Sequence, residues 1–337
     1  MKYTNIDFNN KTILITGAAG FIGSSLCFYF QENYPKANII ALDCFRNEET
    51  FSNGNLKSFG HFKNLLGFKG VVVSGNINDK KLLKELDINY NFDYIFHQAA
   101  ISDTTVQEQD LMIQTNVNAY EDLLKIAINH GANMIYASSA ATYGDSDRFE
   151  VGYEQPNNVY GFSKVMMDNI SYKYINQGVD ISIVGLKYFN VFGPREFYKN
   201  KTASMVVQFG HQILKGLTPK LFEGSDKILR DFIYIEDVIQ ANIKACEPKQ
   251  SGVYNVGTGK ARSFEDIVNI LQKELEIDNG KEYIPNPFIG SYQFFTEANI
   301  EASKENLNYE PQYSMEEGIK AYLPEIKRLF ETEVKKG

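Results

Sequence analysis

Ser138-Ser139-Ala140-Ala141-Thr142-Tyr143-Gly144 is followed 16 residues later by Tyr160-Gly161-Phe162-Ser163-Lys164. Ser139, Tyr160 and Lys164 supply a hydroxyl, a phenol and an ammonium, the groups that move a proton while a hydride moves elsewhere. Tyr160 and Lys164 stand four apart in a segment that reads as a helix, which puts both side chains on one face. An ammonium beside a phenol favours the phenolate, so the tyrosine can act as a base near neutral pH. The same spacing is common on ordinary helices, and the set acquires meaning only beside a cofactor site.

The amino end provides the elements for one. Thr12-Ile13-Leu14-Ile15-Thr16 is an apolar, β-branched run that reads as a buried strand. It leads into Gly17-Ala18-Ala19-Gly20-Phe21-Ile22-Gly23, after which Ser24 to Phe30 continues at helical spacing. Strand, glycine turn and helix bring backbone N–H groups and a helix N-terminus to a pyrophosphate with no Cβ in the way. A second strand, Asn38 to Leu42, ends in Asp43, 20 residues beyond Gly23, where an acid can hold the adenosine ribose.

Strand and helix alternate to about Lys187, with further strands at Gly70–Val73, Tyr94–His97, Met134–Ala137 and Ile181–Leu186. This pattern predicts an α/β fold with a doubly wound parallel sheet over residues 1–187. From 188 to 337 the segments are shorter and mixed, with helices near 263–275 and 314–332. They read as a smaller C-terminal α/β domain that shapes a substrate pocket, with segments that can interleave with the first domain. The loop from Arg46 to Lys69 either folds over the adenosine end of the cofactor or is a surface excursion.

Composition narrows the class. The 337 residues are 43% hydrophobic and 23% charged, which marks a globular chain. A net charge of −8 without a long basic run argues against nucleic acid and anionic membranes as partners. No apolar stretch approaches a membrane span, and the polar start Met1-Lys2-Tyr3-Thr4 does not read as a signal peptide. Cys27, Cys44 and Cys246 are scattered, as expected in a reducing cytoplasm. His61, His97, His130 and His211 lack zinc spacing, so no metal site is expected.

Gly17, Gly20 and Gly23 as GxxGxxG, together with Ser139, Tyr160 and Lys164, resemble the extended short-chain dehydrogenase/reductase superfamily. That resemblance implies a Rossmann fold, and dinucleotide contacts from Phe21 and Ile22 in the glycine turn and from Cys44 after Asp43. It implies the same of Asn76-Ile77, where the superfamily usually has an Asp, and of Gln98-Ala99-Ala100 with Ser102 after the fourth strand. Asn116 falls where the superfamily distorts a helix to position the site, and Val191, Lys164 and Lys199 fall on the nicotinamide side. Asp43 favours NAD by repelling a 2′-phosphate, whereas Arg46 can offset that charge and grip one. Residue physics leaves the two cofactors near balance.

Ala140 and Ala141 stand where dehydratases of this type carry an acidic pair, which disfavours dehydration. Tyr188 to Arg195 and Leu229 to Tyr234 resemble the nucleotide-sugar branch, in which Asn190 holds the sugar and Arg230 pairs with the diphosphate. Tyr136 to Gly144, Gly193-Pro194-Arg195-Glu196, Lys220-Leu221-Phe222-Glu223-Gly224-Ser225 and Tyr283-Ile284-Pro285 with Tyr292-Gln293 resemble the ADP-heptose 6-epimerase family over roughly residues 12 to 325. Departures lie in the 46–69 loop, in Asn200-Lys201 in place of Gly-Ser, and in Gln208 in place of His.

This resemblance tips the cofactor to NADP, with NAD possible. It implies inversion of C6 of an ADP-heptose through a 6-keto sugar. Tyr160 is then one acid–base group and Lys199 the second, with Lys201 as rival, while Ser139 rather than Ser138 bonds the reacting oxygen. Substrate contacts are implied for Ser139, Asn190, Lys201, Gln208, Phe222, Glu223, Gly224, Ser225, Arg230 and Tyr292. The resemblance further implies a homo-oligomer and a cytoplasmic step in making a lipopolysaccharide core. A UDP-sugar 4-epimerase and a nucleotide-sugar reductase are the alternatives.

Overall fold

A computed structural model describes residues 2–286 and 294–335. In chain order its strands are β1 (Thr12–Thr16), β2 (Asn38–Asp43), β3 (Val71–Ser74), β4 (Tyr94–His97), β5 (Asn133–Ser139), β6 (Ile183–Tyr188), β7 (Asn190–Phe192), β8 (Lys220–Phe222), β9 (Leu229–Tyr234), β10 (Gly252–Val256), β11 (Ala261–Ser263) and β12 (Glu282–Ile284). Among the described residues the main sheet has seven strands in the order β10-β6-β5-β4-β1-β2-β3, and every pairing is parallel. The doubly wound expectation is borne out.

The sequence explains why these runs sit centrally. Ile13, Ile15, Ile40, Leu42, Ile135, Val184 and Leu186 are all buried, because helices cover both faces of a parallel sheet. Each such side chain contributes about 1.5–3 kcal/mol on leaving water. At the β3 edge the covering ends, and Val72 is 48% exposed.

Chain order reverses between β1 and β4, the neighbours at the centre of the sheet. A crevice opens there beyond the carboxyl ends of the strands, the usual ligand position in such folds. The last strand, β10, comes from residues 252–256 and pairs with β6 in register from Gly252↔Val184 to Val256↔Tyr188. Three short strands, β11-β9-β7, form a second sheet above the crevice, and β12 pairs with β8. No helix among the described residues is long and apolar enough to cross a membrane.

Two local devices place the chemistry. The helix Val159–Asn176 starts where the Asn158 side chain accepts from Gly161 N at 2.8 Å, which fixes Tyr160 in its first turn. Residues Gln114–Asn118 form a π turn between the helices Gln109–Ile113 and Ala119–His130. There the buried Asn116 side chain donates to Ile101 O at 3.0 Å and accepts from Ile101 N at 2.8 Å. It also donates to Ser163 Oγ at 3.0 Å, tying the turn to the Tyr160 helix.

Candidate active site

Gly17 sits at φ +67° directly after β1, a left-handed conformation that favours glycine. A Cβ on Gly17 would lie 2.7 Å from Ala99 N, and one on Gly23 would lie 2.2 Å from Gly17 O. The glycine turn is thus a backbone cradle at the N-terminus of the helix Phe21–Asn33. Gly23→Ala forces backbone against backbone; we expect a lower melting temperature and a loss of dinucleotide-induced stabilisation in thermal unfolding.

The cradle forms one wall of a cavity of about 890 Å³. Gly17, Gly20, Phe21, Ile22, Gly23, Asp43, Cys44, Asn76, Ile77, Gln98, Ala99, Ala100 and Ser102 all line it. Asp43 is buried, and its carboxylate accepts from Ala19 N and Phe45 N, each at 2.9 Å. Burial pushes its pKa up, and the backbone N–H groups pull it back. Tyr188 OH donates to Gln98 Oε1 at 3.1 Å and fixes that amide in the wall. Formed by glycine backbone and carrying an acid after the second strand, this half of the cavity fits a dinucleotide.

Two proposed cofactor contacts lie elsewhere. Asn116 is sealed behind Ile101, as described above, and shapes the wall from behind. Arg46 donates to the carbonyl of Tyr198 instead of reaching the adenosine pocket. Lys57 lines the cavity in its place, beside Ser58 and Gly60. Sequence reading missed Lys57 because the 46–69 loop has no periodicity that orients its side chains; its only available signal was a second cation in the segment after Asp43.

On the opposite wall, Ser139, Tyr160 and Lys164 come together. Ser139 ends β5, and its Oγ accepts from Ala141 N at 3.1 Å. Ser138 also lines the cavity, but its hydroxyl donates to Asp168 Oδ2 at 3.0 Å. Lys164 is 1% exposed and donates to Ala137 O at 2.6 Å. Burial pushes its pKa down to about 8, with Asp168 resisting, so it remains cationic at neutral pH.

Its Nζ lies 5.8 Å from the centre of the Tyr160 ring. The Tyr160 pKa is raised: burial dominates, and the neighbouring Ser139 hydroxyl only partly offsets it.

Behind this wall lies a buried charge cluster. Lys187, fully enclosed on β6, bonds Asp168 Oδ2 at 2.7 Å, Thr142 Oγ1 at 2.9 Å and Glu154 Oε1 at 3.1 Å. Asp168 also accepts from Tyr136 OH at 2.9 Å.

Lys199 lines the cavity and Lys201 does not. The Lys199 Nζ lies 5.9 Å from the Phe21 ring centre, facing the glycine turn. Burial lowers its pKa, and the Glu196 carboxylate partly restores it. Glu196 is itself fully buried and closes the loop, accepting from Gly193 N at 3.1 Å and from Ser204 N at 2.6 Å.

Asn190, Val191 and Arg230 also line the cavity, with Phe232, Phe264 and Thr296 that sequence reading did not single out. Gln208 instead donates to Ala203 O at 2.7 Å. Phe222, Glu223, Gly224 and Ser225 lie off the cavity wall, on β8 and the turn after it, where Glu223 N donates to Ile284 O at 2.9 Å. Tyr292 lies outside the described residues.

Residues 13–257 match the NAD dependent epimerase/dehydratase family. The crystal structure of Helicobacter pylori ADP-L-glycero-D-manno-heptose-6-epimerase is similar, with 49% identity, 97% of this chain and 99% of that one covered, and a TM-score of 0.87. Thermotoga maritima UDP-glucose 4-epimerase, solved with UDP-glucose, is 26% identical over 94% of this chain and 99% of that one, with a TM-score of 0.82. UDP-N-acetylglucosamine 4-epimerase of Methanobrevibacter ruminantium is 25% identical, covers 94% and 98%, and has a TM-score of 0.80.

Proposed function

The chain belongs to the NAD dependent epimerase/dehydratase family, and from that premise we propose that it inverts C6 of the heptose in ADP-D-glycero-D-manno-heptose to give the L-glycero epimer. The observation that carries the substrate is the 49% identity with the heptose 6-epimerase over 97% of this chain. The geometry supports a mechanism. When bound, a nicotinamide dinucleotide accepts the C6 hydride and gives it back. The protein must handle the hydroxyl proton on either side of that exchange.

Inversion moves the oxygen between two places, so two acid–base groups serve better than one. Tyr160 and Lys199 line one cavity from different elements, the Val159–Asn176 helix and the turn at Phe197–Thr202. Tyr160 takes the proton of one epimer, and Ser139 hydrogen-bonds the same oxygen. Lys199 takes the proton of the other, and burial brings it toward the neutral amine this requires. Lys164 stays cationic and orients the nicotinamide ribose. Arg230 and Asn190 hold the diphosphate and the sugar.

The cofactor is NADP. Asp43 spends its charge on Ala19 N and Phe45 N, and Lys57, which pairs with Glu49 at 3.2 Å, lines the same cavity and offers a cation to a 2′-phosphate. Lys57→Ala then weakens NADP binding about tenfold while leaving NAD binding near wild type, as titration calorimetry reads; removing one exposed phosphate contact is worth about that much. The reaction takes place in the cytoplasm in a homo-oligomer, and light scattering of the purified protein tests the oligomer.

Proton NMR of ADP-D-glycero-D-manno-heptose with the purified protein and no added cofactor tests the main reading. Appearance of the L-glycero epimer up to equilibrium supports it and shows a retained cofactor. Silence after addition of NADP, and then of NAD, overturns the heptose assignment.

A further inference from the structure

The segment that carries Lys199 is only partly buried. No residue of Phe197–Thr202 is fully enclosed, and Asn200 within it sits at φ 54°, an uncommon conformation for a non-glycine residue. Something outside the segment must hold it. Three contacts from the 46–69 loop converge on it. The His61 ring stacks on Tyr198 with centroids 4.0 Å apart and planes at 2°. Arg46 donates to the Tyr198 carbonyl, one residue from Lys199. Arg195, just upstream at φ 79°, donates to Asn64 O at 2.5 Å.

The other ends of these contacts reach the dinucleotide cradle. His61 N donates to Ala19 O at 3.0 Å, inside the glycine turn, and Asn64 Nδ2 donates to the same carbonyl at 3.0 Å. Arg46 N donates to Gly60 O at 2.7 Å. Gly60 packs so tightly on Asp43 that a Cβ there would lie 2.1 Å from Asp43 Oδ1. Lys63 pairs with Glu333 at 2.7 Å and lies 5.9 Å from the Tyr198 ring centre, closing the far side of the stack.

We infer that His61 and Arg46 are positioning residues for Lys199: they strap the acid–base segment to the loop that frames the adenosine end of the cavity. This rests on the reading of Lys199 as one of two acid–base groups. A direct route runs from Ala19 through one backbone hydrogen bond to His61, through one ring stack to Tyr198, and along the chain to Lys199. Filling the adenosine pocket buttresses Gly60 and His61 from inside, so dinucleotide occupancy and Lys199 placement rise together.

Amide hydrogen exchange of the full-length protein, with and without bound NADP, tests the strap. In His61→Ala, exchange of the 197–203 amides rises about tenfold or more in the loaded protein, because their local opening loses its restraint. In His61→Phe the flat ring remains and protection is retained. Unchanged protection in His61→Ala, or no added protection on NADP binding in the wild type, overturns the inference.

A second readout separates positioning from general damage. Stopped-flow formation of reduced cofactor from each epimer slows in His61→Ala for the epimer served by Lys199 and stays at wild type for the one served by Tyr160. Equal slowing from both epimers overturns the inference. Lys199→Met in the same assay judges the underlying reading alone: if it is not selective for one epimer, the base assignment fails, while the exchange data still decide the strap.

Discussion

Tyr160→Phe and Lys199→Met each lower kcat by about a hundredfold to ten-thousandfold, the usual worth of a positioned acid–base group. In the proposed mechanism every turnover removes a proton in one sugar orientation and restores one in the other, so losing either group stops one half of the cycle. The two variants nevertheless differ in a way steady-state rates conceal. The equilibrium constant is fixed, so kcat/KM falls by the same factor in both directions whichever group is removed. The asymmetry shows only in the first half-reaction. Rapid mixing of the loaded enzyme with each pure epimer, followed by the absorbance of reduced nicotinamide, leaves one epimer nearly normal in each variant, and a different one. Wild-type turnover in Lys199→Met sinks the two-group mechanism and points to a single-base enzyme of the UDP-sugar 4-epimerase kind.

Lys187→Met is expected to destabilise the fold by about 3–5 kcal/mol in urea denaturation, the cost of leaving partner charges buried and unpaired. Lys187 is wholly enclosed and bonds the buried Asp168 and Thr142 and the partly exposed Glu154. Exchanging both Lys187 and Asp168 for apolar residues recovers only part of the loss. Tyr136 and Ser138 both donate to Asp168 and are then left without an acceptor, at about 1–3 kcal/mol for each orphaned group. A single-variant loss within about 0.5 kcal/mol, the range of an ordinary surface substitution, overturns this reading. The cluster stands directly behind Ser139 and one helical turn from Lys164, so its loss also loosens the reactive wall.

Local patterns carried much of this into the sequence. A β-branched run, a glycine turn and an acid at fixed spacing have one physical use in combination, and the parallel sheet followed from it. Ser139, Tyr160 and Lys164 were legible because a strand end and an i, i+4 helical pair are short-range geometry. What was illegible depends on tertiary contact. The strand Gly252–Val256 lies more than sixty residues from its partner β6, and its run is too short to declare its sheet. Arg46 reads as the stronger phosphate ligand, yet the loop turns it toward Tyr198 and brings Lys57 inward. Lys187 reads as the end of an apolar strand, and only the fold surrounds it with two carboxylates. The upward shift of the Tyr160 pKa was not legible either, because its burial is revealed by no spacing.

The strand at 252–256 has a consequence for engineering. The C-terminal half of the chain also closes the edge of the parallel sheet, through a five-residue ladder on β6. A fragment ending near residue 187 therefore presents an apolar, unpaired strand to solvent, a template for aggregation. Grafting a different sugar pocket onto this scaffold cannot be done by a single splice after β6. The graft must leave 252–256 in place and exchange only what lies on either side of it.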